Sequence, residues 1–281
     1  MKHFKRIMLT MLVVSCCACT KVQTPPYQAD VVYGHKDGMA LFYDVFNPSG
    51  ESNGAGIVYM VSGGWFSRWQ APEQRVEQFA QMTDAGYTVF AVHHGSAPRY
   101  TVPEAYADVS RAIRHIRANA DQFGIDPNRL GVTGGSAGGH LSLMIGTNSD
   151  NGQVEADDTI DATGNRVAAV VAYFPPVDLR QMAGNGGERF PALDFERELA
   201  AGISPLLMVS SDDPPTLLLH GDADTLVNIS HSEQMYAALQ GAGVESEFII
   251  YEGGDHGFRN PEHRQQAAAA RLEWFNRYLL P

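Results

Sequence analysis

Short apolar runs alternate with amphipathic stretches along most of this chain. Runs at 56–61, 87–92, 129–133, 167–174, 216–220 and 247–251 are each the right length for a strand buried on both faces. Between them, apolar residues recur at helical spacing. Over 103–123 the positions Ala105, Val109, Ala112, Ile113 and Ile116 form one stripe, and Pro103 stands in the first turn, where no backbone donor is needed. Helices are also predicted over 72–85, 139–147, 230–240 and 262–280, the first closed by Gly86. Segments 30–33 and 40–46 flank Lys36-Asp37-Gly38 and predict an antiparallel pair. Strand and helix in alternation predict an α/β fold, with a mostly parallel central sheet and helices on both faces. Reactive residues then belong at the carboxyl ends of the strands.

Two segments break this rhythm. Residues 148–166 are polar and acidic, and are expected to form a solvated loop. Residues 175–211 mix Gly and Pro with scattered aromatics and are placed to form a small cap over a site. Residues 16–28 are polar and Pro-rich, which predicts a tether ahead of a single folded domain over 29–281.

The chemistry concentrates after the 129–133 run. Gly134-Gly135-Ser136-Ala137-Gly138 fits G-x-S-x-G, and a predicted strand before it and helix after it supply the context that motif needs. A serine on such a turn is exposed, and the next amide points to where an oxyanion would develop. Serine needs a base, and the base needs an orienting carboxylate, in the chain order Ser, then acid, then His. His256 lies on a Gly-rich loop after the last predicted strand and is the candidate base. Asp222 and Asp224 both follow strand 216–220. A second oxyanion donor is expected from Ser62-Gly63-Gly64-Trp65, which follows the first buried run. The amides of Gly64 and Trp65 are the candidates beside that of Ala137. Trp65, Phe66 and Trp69 are expected to make an aromatic wall, and His93 or His94 to line the pocket.

Taken together, these residues resemble the α/β-hydrolase fold family, and within it the acetyl esterase and carboxylesterase branch akin to hormone-sensitive lipase. The likeness rests on Gly124-Ile125-Asp126-Pro127-Asn128-Arg129-Leu130 leading into Gly134-Gly135-Ser136-Ala137-Gly138-Gly139-His140. It rests also on Asp213-Pro214-Pro215-Thr216 leading into His220-Gly221-Asp222-Ala223-Asp224. Similarity to the H-G-x-x-D pattern implies that Asp224 is the catalytic acid, leaving Asp222 as a turn residue. The resemblance implies hydrolysis of a carboxylic ester without a cofactor, through an acyl-enzyme on Ser136, with a short acyl group such as acetyl. A small-molecule or polysaccharide ester is the implied substrate. Two departures bear on that substrate. Ser62 stands where the branch usually has histidine before the glycine pair, and His94-Gly95-Ser96-Ala97-Pro98-Arg99 stands where it commonly has Tyr-Arg.

Charge and cysteine usage narrow the partners. The formal net charge is −12, and no basic block occurs beyond the leader, which argues against nucleic acid. Asp150, Asp157, Asp158 and Asp161 lack the spacing of a calcium loop, so no metal is expected. Cys16, Cys17 and Cys19 are the only cysteines, and all lie in the leader. There Lys2, Lys5 and Arg6 precede an apolar run over 7–14 that is too short to span a bilayer. With Val13-Val14-Ser15-Cys16 it resembles a bacterial lipoprotein signal. That implies removal of 1–15, lipid on Cys16 and a membrane anchor at the bacterial cell envelope. The alternative is a cleaved secretory signal and a periplasmic or secreted protein.

Two other functions fit the same residues. A serine peptidase of the prolyl oligopeptidase type shares this catalytic domain, and a non-catalytic surface-binding protein could share the fold. The sequence leaves the oligomeric state open.

Overall fold

The computed structural model describes residues 25–153 and 155–281; the predicted signal segment 1–15 and Cys16 lie outside the described residues. Eight strands form one sheet. They are β1 (Tyr27–Lys36), β2 (Met39–Phe46), β3 (Gly56–Met60), β4 (Thr88–Val92), β5 (Leu130–Gly135), β6 (Ala169–Tyr173), β7 (Thr216–Gly221) and β8 (Ser246–Tyr251). Their order is β1-β2-β4-β3-β5-β6-β7-β8. The first two pairings in that order are antiparallel and all the rest are parallel. This is the mostly parallel α/β arrangement that the alternating pattern predicts, and its strand order is the α/β-hydrolase one that the resemblance implied.

Every residue of β4 and β7 is buried, because helices cover both faces of a parallel sheet. The core therefore forms two layers. One packs α2 (Val102–Ala118) and α3 (Ala137–Thr147) against the sheet, and the other packs α1 (Val76–Asp84) and α5 (Pro261–Leu279) against the opposite face. In α2 the predicted stripe is buried along its length, and Glu104 accepts a hydrogen bond from the Thr101 amide at 2.9 Å, which satisfies one exposed donor at the helix start. Helix α4 (Ser230–Gly241) packs on β8 and β7.

Several boundaries differ from the sequence expectation. Strand β1 begins at Tyr27, so residues 27 and 28, expected in the tether, already pair with Phe46 and Val45. Helix α2 stops at Ala118, and a separate 3₁₀ turn spans Ala120–Phe123. The acidic loop is not simply solvated. Arg111 of α2 pairs with Asp158 and Asp161, and Arg114 pairs with Asp150, which pins the loop to the helix. The cap segment holds four 3₁₀ turns, ending at Pro205–Leu207. It buries Val177, Leu179, Leu193 and Ile203 in the same cluster as Trp65 and Leu141, so its inner side is part of the core.

Candidate active site

Ser136 sits between β5 and α3 with φ 55° and ψ −120°. A residue with a side chain is strained there by about 1–3 kcal/mol and holds the conformation only if its neighbours fix it. They do so from both sides. The Ser136 amide donates to the Tyr173 carbonyl at 2.9 Å, and its own carbonyl accepts from the His140 amide at 2.9 Å. Gly134 must lack a side chain, because a Cβ there would lie 2.6 Å from the Gly138 carbonyl carbon. Helix α3 begins at Ala137, two residues earlier than the apolar pattern predicts. The Ala137 amide is thus among the unpaired donors of the first helical turn.

Asp224 and His256 come together from two loops at the carboxyl end of the sheet. Asp224 Oδ2 accepts from His256 Nδ1 at 2.7 Å, which leaves Nε2 of the neutral ring free to receive a proton. The Asp224 side chain is fully buried, while that of His256 is 21% exposed. The Asp224 Oδ1 accepts from the amides of Leu226 and Val227 at 2.8 and 2.9 Å. His220 adds a fourth contact, its Nε2 lying 3.2 Å from Oδ2. Asp222 lies in a turn, as expected, and its carboxylate accepts from the Gly253 amide at 2.6 Å, which ties the Asp224 loop to the His256 loop. Asp255 steadies the latter by accepting from the Arg259 amide.

The oxyanion candidates occupy a two-residue turn. Gly63 and Phe66 exchange both backbone hydrogen bonds, at 3.0 and 3.1 Å. Gly64 and Trp65 between them both have φ 58°, the type I′ geometry. The turn's own bonds use the amides of Gly63 and Phe66 and spare those of Gly64 and Trp65. These two residues and Ser136 line one cavity of about 30 Å³, whose remaining lining is Pro176, Met182, Phe190, Leu226 and Val227. The sequence-predicted serine and oxyanion residues therefore share one wall, and the cap supplies part of the other.

Trp65 is strained at positive φ and is held by its indole. Its Nε1 donates to His140 Nδ1 at 3.4 Å, while His140 Nε2 donates to the Ile203 carbonyl at 2.8 Å. Burial pushes the His140 pKa down to about 4, so the ring is neutral and can accept at Nδ1. One side chain on α3 thus joins the oxyanion turn to the cap.

His93 and His94 do not line the pocket. They brace the turn from behind: His94 Nε2 meets Ser62 Oγ at 2.9 Å, and His93 Nδ1 meets Ser67 Oγ at 3.2 Å. Nor do the aromatics make one wall. Trp65 is buried, whereas Trp69 is 62% exposed outside the cavity. Sequence reasoning missed Phe174. It follows the Tyr173 carbonyl that binds Ser136, and its ring centroid lies 4.6 Å from that of His256. Its place at the carboxyl end of β6 was the available signal.

The buried histidines predict acid sensitivity. Desolvation lowers His93 to about 3 and both His94 and His140 to about 4, against 6.5 unfolded. Below pH 6.5 the unfolded chain takes up protons that the folded state refuses. Their contribution is present in full above pH 6.5 and is lost as pH falls from there toward 4 and 3. Calorimetry should show Tm dropping steeply between pH 6.5 and 4.5, by several kcal/mol of stability. A flat Tm across that window would contradict the assigned neutral burial.

Comparison with known proteins gives a consistent picture. A family model described as BD-FAE matches residues 43–239. The chain is 27% identical over 197 residues to esterase LipQ of Mycobacterium tuberculosis, which covers 67% of this chain and 46% of that protein. It is 27% identical over 227 residues to an acetylxylan esterase of Xylanibacter ruminicola, covering 75% of this chain and 42% of that protein. The chain thus spans about half the length of these curated relatives. An acetyl ester-xyloside bifunctional hydrolase from Caldicellulosiruptor lactoaceticus superimposes with a TM-score of 0.78 at 25% identity, covering 89% of this chain and 96% of that one.

Proposed function

The chain belongs to the BD-FAE family, and from that membership we propose that it is a serine hydrolase cleaving carboxylic esters with a short acyl group. The observation that carries the reading is the strained Ser136 on the wall of a small cavity that Leu226 and Val227 also line, the residues whose amides hold the Asp224 carboxylate paired with His256.

The steps are those of a serine nucleophile with a histidine base and an orienting carboxylate. His256 Nε2 takes the Ser136 hydroxyl proton as Oγ attacks the ester carbonyl carbon. Asp224 steadies the resulting imidazolium through Nδ1–H. The amides of Ala137, Gly64 and Trp65 stabilise the oxyanion, and the helix start at Ala137 adds its dipole. The carbon–oxygen bond to the alcohol then breaks, and His256 returns the proton to the leaving oxygen. Water attacks the acyl-enzyme, again with His256 as base, and releases the acid and free Ser136.

Cavity size supports the acyl preference. A single water needs roughly 10–15 Å³ on this measure, so about 30 Å³ holds little more than an acetyl group. Longer chains must push Met182 or Phe190 aside, at about 1–3 kcal/mol. kcat/KM for p-nitrophenyl acetate should therefore exceed that for the octanoate ester about 10- to 100-fold. Octanoate turned over as well as acetate would sink the short-acyl assignment. Absence of turnover on every ester would sink the esterase reading itself.

A further inference from the structure

On the face of the sheet covered by α1 and α5 lies a larger cavity, of about 250 Å³. It shares no lining residue with the cavity at Ser136. Its lining includes Gly134 and Gly135, which lead into Ser136, and Gly257 and Phe258, which follow His256. The sequence of α5 accounts for the space. Arg264 and Arg271 are seven residues apart, about two helical turns, and so fall on one face of the helix. Ala267 and Ala268, which also line the cavity, are small and leave the room between the two arginines unfilled.

Arg271 marks this cavity as a place for an anion. The residue is only 9% exposed, and among the described residues no carboxylate lies within 4 Å of it. Its one hydrogen bond is long, from Nη2 to Gln81 Oε1 at 3.4 Å. Nε is enclosed, beyond the reach of a ligand. Nη1 is not enclosed and has no partner among the described residues, so it is the atom a ligand can meet. Arg264 is exposed and spends its Nη1 on the Phe258 and Arg259 carbonyls at 3.0 and 2.9 Å, which leaves its Nε and Nη2 available. Tyr59 adds a hydroxyl that bonds to nothing else, and no acidic side chain lines the cavity. A guanidinium buried without a counter-ion carries a desolvation cost that the oxygens of an anion would offset. The remaining wall is mostly apolar. Phe174 and Phe258 present rings, and the Tyr173 hydroxyl is already spent on the Ala267 carbonyl at 3.1 Å.

We infer that this cavity binds a small organic carboxylate, with its oxygens on Arg271 and Arg264 and its apolar body against Phe174 and Phe258. Arg271 Nη1 and the free nitrogens of Arg264 supply charged donors, and Tyr59 supplies a neutral one. An ionised carboxylate has acceptor sites for all of them. A single water takes roughly 10–15 Å³ on this measure, so a one-ring acid fits. Inorganic phosphate fits the donors but not the wall, because some of its oxygens would face ring carbons without a partner. The site is separate from the ester's and does not rest on the hydrolase reading. An occupant joins α5 to the backbone beside both Ser136 and His256, and binding to the folded state alone adds to its stability.

Isothermal titration of the full chain with benzoate, in a buffer free of phosphate, tests the site. One equivalent should bind, and saturating benzoate should raise Tm. Benzamide has the ring without the charge and should bind about tenfold more weakly or worse; inorganic phosphate should bind severalfold more weakly. Arg271→Gln should weaken benzoate binding by about tenfold or more, and Arg264→Gln and Tyr59→Phe severalfold each. Tyr59→Phe removes only an unbonded hydroxyl, so the test survives an Arg271→Gln variant that fails to fold. Entry of benzoate at Ser136 is read separately: KM for p-nitrophenyl acetate should stay within twofold at saturating benzoate. No binding at tens of millimolar benzoate, benzamide or phosphate bound as tightly as benzoate, unchanged affinity in the folded variants, or a KM rising in proportion to benzoate would each overturn the site. Absence of ester turnover would remove the hydrolase reading and leave the titration to decide on this cavity.

Discussion

Ser136→Ala is expected to lower kcat on p-nitrophenyl acetate by about 10,000-fold or more, with the fold intact. In the proposed mechanism the hydroxyl is the atom that attacks, and no other side chain on the cavity wall is a nucleophile. The wall otherwise consists of Gly64, Trp65, Pro176, Met182, Phe190, Leu226 and Val227. The elbow itself is held by backbone bonds from Ser136 to Tyr173 and His140, which alanine keeps. Tm should therefore shift by no more than about 1 kcal/mol of stability equivalent. KM should change little, because the cap and the oxyanion turn are untouched. Residual catalysis above background should remain, since the oxyanion amides survive the substitution. A variant retaining a tenth of parental kcat would mean that another group attacks the ester.

Asp224→Asn should cost about 10,000-fold in kcat by a different route. The Asp224 carboxylate accepts from three donors, two amides on Oδ1 and the His256 imidazole on Oδ2, and Oδ2 also lies 3.2 Å from His220 Nε2. If asparagine keeps its oxygen toward Leu226 and Val227, its NH2 faces both histidines. His256 then has to accept at Nδ1, which puts its proton on Nε2 and stops it taking the serine proton. His220 cannot adapt in the same way, because its Nε2 already donates to the Val227 carbonyl at 2.9 Å. A buried donor-to-donor contact results, at about 1–3 kcal/mol. The prediction is a joint loss of kcat and Tm, read by steady-state kinetics and calorimetry on the same preparation. A loss of less than tenfold in kcat would remove Asp224 from the acid's role.

Much of the candidate site was legible in the sequence because each candidate residue follows a predicted strand. Ser136, Asp224 and His256 lie just past β5, β7 and β8, and a parallel sheet collects those ends in one place. The pattern of apolar runs therefore carried the fold, while the order of the candidate residues and the choice of Asp224 over Asp222 came from the motif and the resemblance. What was not legible depends on contacts across long stretches of chain. His140 reaches Trp65 and Ile203, 75 and 63 residues away, and nothing in the local sequence distinguishes it from a core histidine. Asp222 reads locally as a turn residue, but its partner is Gly253 on another loop. The acidic segment read as solvated because its partners, Arg111 and Arg114, lie on α2. Trp65 and Trp69 are four positions apart, yet one is buried and the other exposed, because the Gly63–Phe66 turn reverses the chain between them.

The proposed mechanism requires Ser136 to form a covalent acyl-enzyme. Incubation of the protein with a fluorophosphonate, followed by peptide mass spectrometry, tests it most directly. One equivalent of adduct is expected on the peptide carrying Ser136, formed at a rate that falls sharply in Asp224→Asn. Labelling of another residue, or an unlabelled protein that still hydrolyses p-nitrophenyl acetate, would contradict it.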